Sequence, residues 1–217
     1  MVDFATFDFE TLPSAEAYRL TVNTVVPRPI AWTVTQGRSG VVNVAPHSFF
    51  NAFGSEPVLM ILGLVGSRDP GRKHKDTAAY IEETGEFVVN LVPEYLAEKM
   101  NATVINAPPE VSEMELAGLT AVPSLKVAPP RIGESPVAFE CKVIQVIDTG
   151  TSQSVVVGRV VQMHIEQRLL TGDPARPHIK TEEMQLIARM HGRGFYARTT
   201  DMFDMPRPAD WGSEVKG

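Results

Sequence analysis

The sequence predicts a mainly β fold, an antiparallel barrel with helical excursions. Seven or so segments are rich in β-branched and aromatic residues, and only two or three have helical character. The strand-like segments follow one another in hairpin order. The strand–helix alternation of a parallel sheet is missing, and no Gly-x-Gly-x-x-Gly follows a strand, which disfavours a Rossmann dinucleotide domain. With 217 residues, 43% of them hydrophobic, the chain can bury a good core, and one domain over 1–217 is the expectation.

Taken in order, Ser14 to Leu20 reads as a short helix with Ser14 as N-cap, its hydroxyl accepting from a first-turn amide. Val25-Val26 and Ile30 to Val34 suit a strand, with Pro27 and Pro29 at its start or on an edge because neither has an amide to donate. Gly37 to Gly40 is turn chemistry, and Val41 to Val44 pairs back as the hairpin partner. Val58 to Leu64 has the length of a buried strand. Asp76-Thr77 precede a helix over Ala78 to Thr84 that Gly85 stops, and Glu86 to Val92 is again a strand. Pro93 opens a helix over Glu94 to Asn101, since a first helical position needs no amide partner.

Six prolines between 106 and 136 predict an excursion of short elements rather than a linker. Two long strands follow. Val137, Phe139, Cys141, Val143 and Ile147 share one face of the first, and Val155, Val157, Val161, Met163 and Ile165 one face of the second. A helix over Thr181 to Met190, a last strand through Tyr196, and a polar surface tail over 204–217 complete the chain.

The formal charge of −6 argues against a nucleic-acid surface, and no apolar run approaches the roughly 20 residues that span a bilayer. A lone cysteine, Cys141, permits no intrachain disulfide and fits a reducing, cytoplasmic setting; no basic-then-apolar leader opens the chain. The five histidines lack metal-ligand spacing, so no metal is expected. Cys141 lies on an apolar strand face, and no Gly-x-Ser-x-Gly elbow is present, so nucleophilic catalysis has no support.

The informative stretch is Pro27 to Thr77. Its basic helix start at Lys75-Asp76-Thr77 offers unpaired amides and a positive dipole end, which suit an anion. On that motif alone, an ordinary capped surface helix is the slightly better account. The joint pattern decides otherwise. Arg28-Pro29-Ile30-Ala31-Trp32, Asn43 to Asn51, Lys75-Asp76-Thr77, Thr84 to Val92, Glu134-Ser135-Pro136 and Tyr196 stand in one order over about four fifths of the chain. Together they resemble the flavin reductase-like family with an FMN-binding split barrel, the group that includes flavoredoxin.

The resemblance implies a six-stranded Greek-key barrel, a homodimer, FMN near the subunit interface, and NADH or NADPH as electron donor. It makes the chain an FMN-dependent oxidoreductase that passes electrons to free flavin, a small-molecule redox partner or a flavin-dependent oxygenase. The alternative is an electron carrier of the same fold without turnover. Lys75, Asp76 and Thr77, with Ser67 and Arg68, are then the phosphate seat. Thr33, Ser48 and Asn51 are the choices for the polar edge of the flavin ring. Asn51 has a second account, a turn side chain bonding its own backbone. Trp32, Phe49 and Phe50 either wall the ring or fill the core. The chain departs from the family at His191-Gly192-Arg193-Gly194, which leaves substrate preference open and makes His191 the one catalytic candidate.

Overall fold

The computed structural model describes residues 2–67, 74–108, 110–150 and 153–206. Its main strands are β1 (Ala31–Gln36), β2 (Val42–His47), β3 (Phe50–Phe53), β4 (Leu59–Leu64), β5 (Glu86–Asn90), β8 (Val137–Asp148) and β9 (Ser154–Ile165). Two short strands, β6 (Ala121–Val122) and β7 (Arg131–Ile132), lie in the proline-rich excursion, along with the helical turn α4 (Glu113–Leu116). The seven main strands form one antiparallel sheet in the order β2-β1-β5-β8-β9-β4-β3. Its two end strands, β2 and β3, are separated in the chain only by Ser48 and Phe49. So short a link forces the sheet to roll up, which brings β2 against β4. The Gly63 amide donates to the Phe49 carbonyl across this seam at 2.7 Å.

The sheet thus holds one strand more than the expected six. The extra one is β3, whose four residues are too few to show a period-2 pattern; β4 supplies their order through the register Phe50↔Leu62 to Phe53↔Leu59. The β1–β2 hairpin pairs Ala31 with His47 through Gln36 with Val42, closed at Gly37–Gly40 as expected. Strands β1 and β5 are buried on both faces. Trp32, Val34 and Val88 pack into one core with Met100, Met114 and Ile132. Ala31, Phe87 and Val89 pack into a second with Leu62, Ile81 and Val156.

Several boundaries differ from expectation. The first helix, α1 (Ser14–Thr24), is capped by Pro13: its carbonyl accepts from Glu16 and Ala17, so Ser14 is already helical and makes no cap bond. Helix α2 (Asp76–Thr84) takes Lys75 as N-cap, which places Asp76 and Thr77 inside the helix rather than before it. Gly85 ends it at φ 71, the left-handed position that glycine adopts without strain. Pro93 is likewise a cap, followed by a 3₁₀ turn (Glu94–Leu96) and α3 (Ala97–Ala102).

The expected helix over Thr181 to Met190 is instead a 3₁₀ turn (Thr181–Met184), a left-handed Gln185, and strand β12 (Ile187–Arg189). Tertiary pairing overrides the local helical pattern. Ile187 donates to the Val92 carbonyl, and Arg189 and Arg28 exchange backbone bonds of 2.8 and 2.9 Å. β12 then pairs with β13 (Tyr196–Arg198). Before it lies a hairpin with no clear sequence signal, β10 (Leu170–Asp173) with β11 (Arg176–Ile179).

The single-face readings of β8 and β9 hold only in part: Phe139, Cys141 and Val143 share the second core cluster, but the ladder shifts register at Glu140/Cys141 and Val143/Gln145 and the pattern is lost beyond. Ile144, Ile147 and Met163 face outward, while Ser154, Val156 and Gly158 are the buried residues of β9. Among the described residues, no helix is long and apolar enough to cross a membrane.

Candidate functional site

Where the rolled sheet meets α2, a cleft of about 240 Å³ opens. Strand β2 lends it Asn43, Ala45, Pro46 and His47, the link to β3 lends Ser48 and Phe49, and the start of α2 lends Lys75, Asp76 and Thr77. Gly63 and Val65 at the end of β4, segment 103–107, Glu113 and Tyr18 form the remaining walls.

Asn43 fixes α2 against the sheet. Its Nδ2 donates to Thr35 Oγ1 (3.1 Å) and to Thr77 Oγ1 (2.9 Å). Because Thr77 accepts from Asn43, its own hydroxyl proton is left to donate. The first bond within α2 is Ala79 N–H to Lys75 O, so the helix itself offers no acceptor to the amides of Thr77 and Ala78. His47 Nδ1 sits 3.2 Å from Thr33 Oγ1. Desolvation, helped by the charge of Lys75, lowers its pKa to about 4 and keeps the ring neutral. Opposite, buried Glu113 accepts from the Val44 amide at 3.1 Å. Burial raises its pKa; the hydrogen bonds from its own amide and that of Val44 oppose this, and Asp76 adds to it.

Phe49 is held from two sides, edge-on to Tyr18 at 6.1 Å and with the Arg28 guanidinium 6.0 Å from its ring centroid. Arg28 is itself buried. It donates to the Val22, Val25 and Met190 carbonyls and to Ser48 Oγ, joining the end of α1, the cleft and the C-terminal segment.

The candidate residues therefore divide. Ser48, Phe49, Lys75, Asp76 and Thr77 meet at the cleft. Thr33 lies behind it, fully buried and joined to it through His47. Trp32 lies in the core, its Nε1 donating to Thr103 Oγ1. Phe50 packs half-buried on the second core cluster. Exposed Asn51 accepts from the Ala52 amide through Oδ1, the local backbone bond of its alternative account. Ser67, two residues beyond the cleft-lining Val65, is half-buried and is not itself part of the lining, and Arg68 lies outside the described residues. His191 is exposed and stacks on Phe195, 5.0 Å between centroids, on neither wall of the cleft. His164 bonds buried Glu140 at 2.6 Å.

Asn43, Glu113 and segment 103–107 had no place among the sequence candidates. Asn43 did carry a signal, an amide side chain inside a β-branched run where such residues are depleted. Glu113 carried none. Cys141 is buried, its pKa pushed up to about 12 by burial with a contribution from Glu140, so it is inert packing. Among the described residues, no cluster of His, Cys, Asp and Glu could hold a metal ion.

The rolled antiparallel sheet closes as a barrel, with the basic start of α2 at one cleft in its side. The chain belongs to the flavin reductase-like family: the Flavin reductase like domain matches residues 23–176. A Halalkalibacterium halodurans protein is 39% identical over 204 residues, covering 92% of this chain and 94% of that one. Among solved structures, Pseudomonas fluorescens 2-nitrobenzoate 2-nitroreductase NbaA has a TM-score of 0.84 at 32% identity, over 96% of this chain and 99% of its own. Component B of nitrilotriacetate monooxygenase from Bacillus cereus gives 0.84 at 30% identity, over 94% and 100%. A split-barrel-domain protein from Shewanella frigidimarina gives 0.77 at 20% identity, over 94% and 100%, which bears on the fold alone. The fold is the split barrel of this family.

Proposed function

We propose that this chain is an FMN-dependent oxidoreductase that takes a hydride from NADH or NADPH and passes electrons to a flavin, a small organic acceptor or a partner oxygenase. The observation that carries the reading is the convergence of Lys75-Asp76-Thr77 with His47-Ser48-Phe49 at one cleft of a flavin reductase-like chain. The residues fit the cofactor. The amides of Thr77 and Ala78, the charge of exposed Lys75 and the donatable proton of Thr77 would hold its phosphate. Ser48 and Thr33, through His47, serve the polar edge of the ring, and neutral His47 leaves that edge without an added charge. Phe49, held by Tyr18 and Arg28, supplies an apolar wall. FMN itself supplies the two-electron chemistry, which no side chain here can provide.

The nitroreductase and monooxygenase-component likenesses support a small organic acceptor and an oxygenase partner, respectively. The reading also takes the protein as a cytoplasmic homodimer, to which the outward Ile144, Ile147 and Met163 offer apolar surface; a monomeric mass by light scattering would remove the dimer.

The test is an absorbance spectrum of the purified protein before and after FMN addition, then stopped-flow mixing with NADH and NADPH. Fast bleaching at low donor concentration is expected. A protein that stays colourless and takes up no FMN ends the reading, and FMN uptake with slow bleaching assigns the chain to electron carriers.

A further inference from the structure

A second cavity, of about 360 Å³, adjoins the cleft and shares Tyr18, Pro46, Ser48 and Val104 with it. Beyond these shared walls it is lined by apolar Ile30 and Met100, by Asn101 and Tyr196, and by two arginines, Arg189 and Arg193. Buried Arg28 stands close enough that the Arg189 charge contributes to lowering its pKa, after desolvation.

Arg19, Arg38, Arg168 and Arg198 each meet a glutamate, and Arg131, Arg159 and Arg176, away from this cavity, form no ion pair among the described residues. Among the described residues Arg28, Arg189 and Arg193 meet no carboxylate, in a chain whose net charge is −6. Uncompensated cations gathered at one cavity of an acidic protein repel one another, and an arriving anion relieves that repulsion.

The arginines are also held in place. The Arg189 guanidinium donates to the Gly192 carbonyl at 2.8 Å and lies 4.9 Å from the Tyr196 ring centroid. The loop carrying Arg193 is closed by Met190 N–H to Phe195 O, by Gly192 N–H to Asn23 Oδ1, and by the His191–Phe195 stack.

We propose that this cavity, through Arg189 and Arg193, binds the carboxylate or phosphate of the second reactant, with the apolar and aromatic walls taking its body. The assignment rests on the FMN reading for what lies in the neighbouring cleft. It gives His191-Gly192-Arg193-Gly194 a role: the histidine braces the loop and the arginine reads charge.

The test compares FMN-loaded wild type with Arg193→Gln, which alters an exposed side chain. Each is titrated calorimetrically with two redox-inert pairs, NADP⁺ against NAD⁺ and benzoate against benzamide, and FMN affinity is measured separately. The substitution should weaken at least one anionic probe about tenfold, leave benzamide unchanged, and keep FMN affinity within about twofold. Loss confined to NADP⁺ identifies a phosphate monoester, equal loss of both dinucleotides identifies a diphosphate, and loss of benzoate identifies a carboxylate. Unchanged binding of every anionic probe overturns the proposal. So does a parallel fall in FMN affinity, which would make Arg193 part of the flavin site. A wild type that takes up no FMN sinks the underlying reading instead, and shows itself before any probe is added.

Discussion

Asn43 Nδ2 lies 2.9 Å from Thr77 Oγ1, and this buried bond sets the first turn of α2 against β2. It couples the proposed phosphate seat to the barrel. Asn43→Ala should cost about 1–3 kcal/mol of stability, the scale for buried polar groups that lose a partner. FMN affinity should fall with it, because the first turn loses its anchor. Chemical denaturation and FMN titration of the variant check both. An unchanged affinity would mean that α2 is positioned by other contacts.

Lys75 tests the seat directly. It is exposed, so removing its side chain leaves the cores intact. Lys75→Ala should weaken FMN binding by about 1–3 kcal/mol, roughly 5- to 150-fold, the range for a lost charge-assisted hydrogen bond. Fluorescence titration reads this. An affinity equal to wild type would place the phosphate elsewhere.

Much of this arrangement was legible from local sequence. The Gly37–Gly40 turn set the β1–β2 register and Gly85 ended α2, whereas Lys75-Asp76-Thr77, Ser48 and Phe49, which line one cleft, were singled out by the family resemblance rather than by local pattern. Side-chain bonds between distant segments left no such trace. Asn43 and Thr77 are 34 positions apart, and Glu113 reaches Val44 across 69. Local pattern also misleads where tertiary pairing wins. Met184, Ile187 and Ala188 have helical spacing, yet the backbones of Arg28 and Val92 draw 187–189 into a strand. In β8 and β9, the bulges break the period that assigns residues to faces.

His47 gives the fold a dependence on mild acid. Its folded pKa of about 4 lies below the ordinary 6.5, so the unfolded chain takes up a proton that the folded one refuses. Its contribution is therefore complete above 6.5 and is lost as pH falls towards 4. The whole shift would correspond to about 3 kcal/mol, and solvent access to the partly buried ring reduces this to about 1–2 kcal/mol. Urea unfolding of the FMN-free protein between these limits should show the loss, and His47→Gln should flatten it. An identical slope in the variant would assign it to other groups.

Glu140 acts at lower pH. It is fully buried, and burial alone would raise its pKa. The Leu125 amide, His164 and the Lys126 amide, all bonded to its carboxylate, outweigh burial and hold the pKa below the usual value. The stability it contributes is present above the ordinary carboxylate range and lost as pH falls through the depressed folded value. Glu140→Gln should cost about 3 kcal/mol at neutral pH, because an amide cannot accept all three donors. The variant should also lose part of the wild type's steep drop below the ordinary range. Equal stability of the two proteins at neutral pH would show that the bonds around Glu140 contribute nothing net.

Two glycines separate the barrel's stability from its seam. A Cβ on Gly158 would come 2.4 Å from Phe87 Cζ, against a ring that is fully buried in the second core and cannot retreat. A Cβ on Gly63 would come 2.9 Å from Phe49 Cβ, at the seam where β3 leaves the cleft. Both alanine variants should lose about 1–3 kcal/mol by overpacking, with Gly158→Ala at the upper end. Only Gly63→Ala moves Phe49, so only that variant should lose FMN affinity beyond what its lower stability explains. Thermal melts with and without saturating FMN separate the two effects: the FMN-induced rise in Tm should be kept in Gly158→Ala and reduced in Gly63→Ala. An equal rise in both would mean that the Phe49 wall does not touch the bound cofactor.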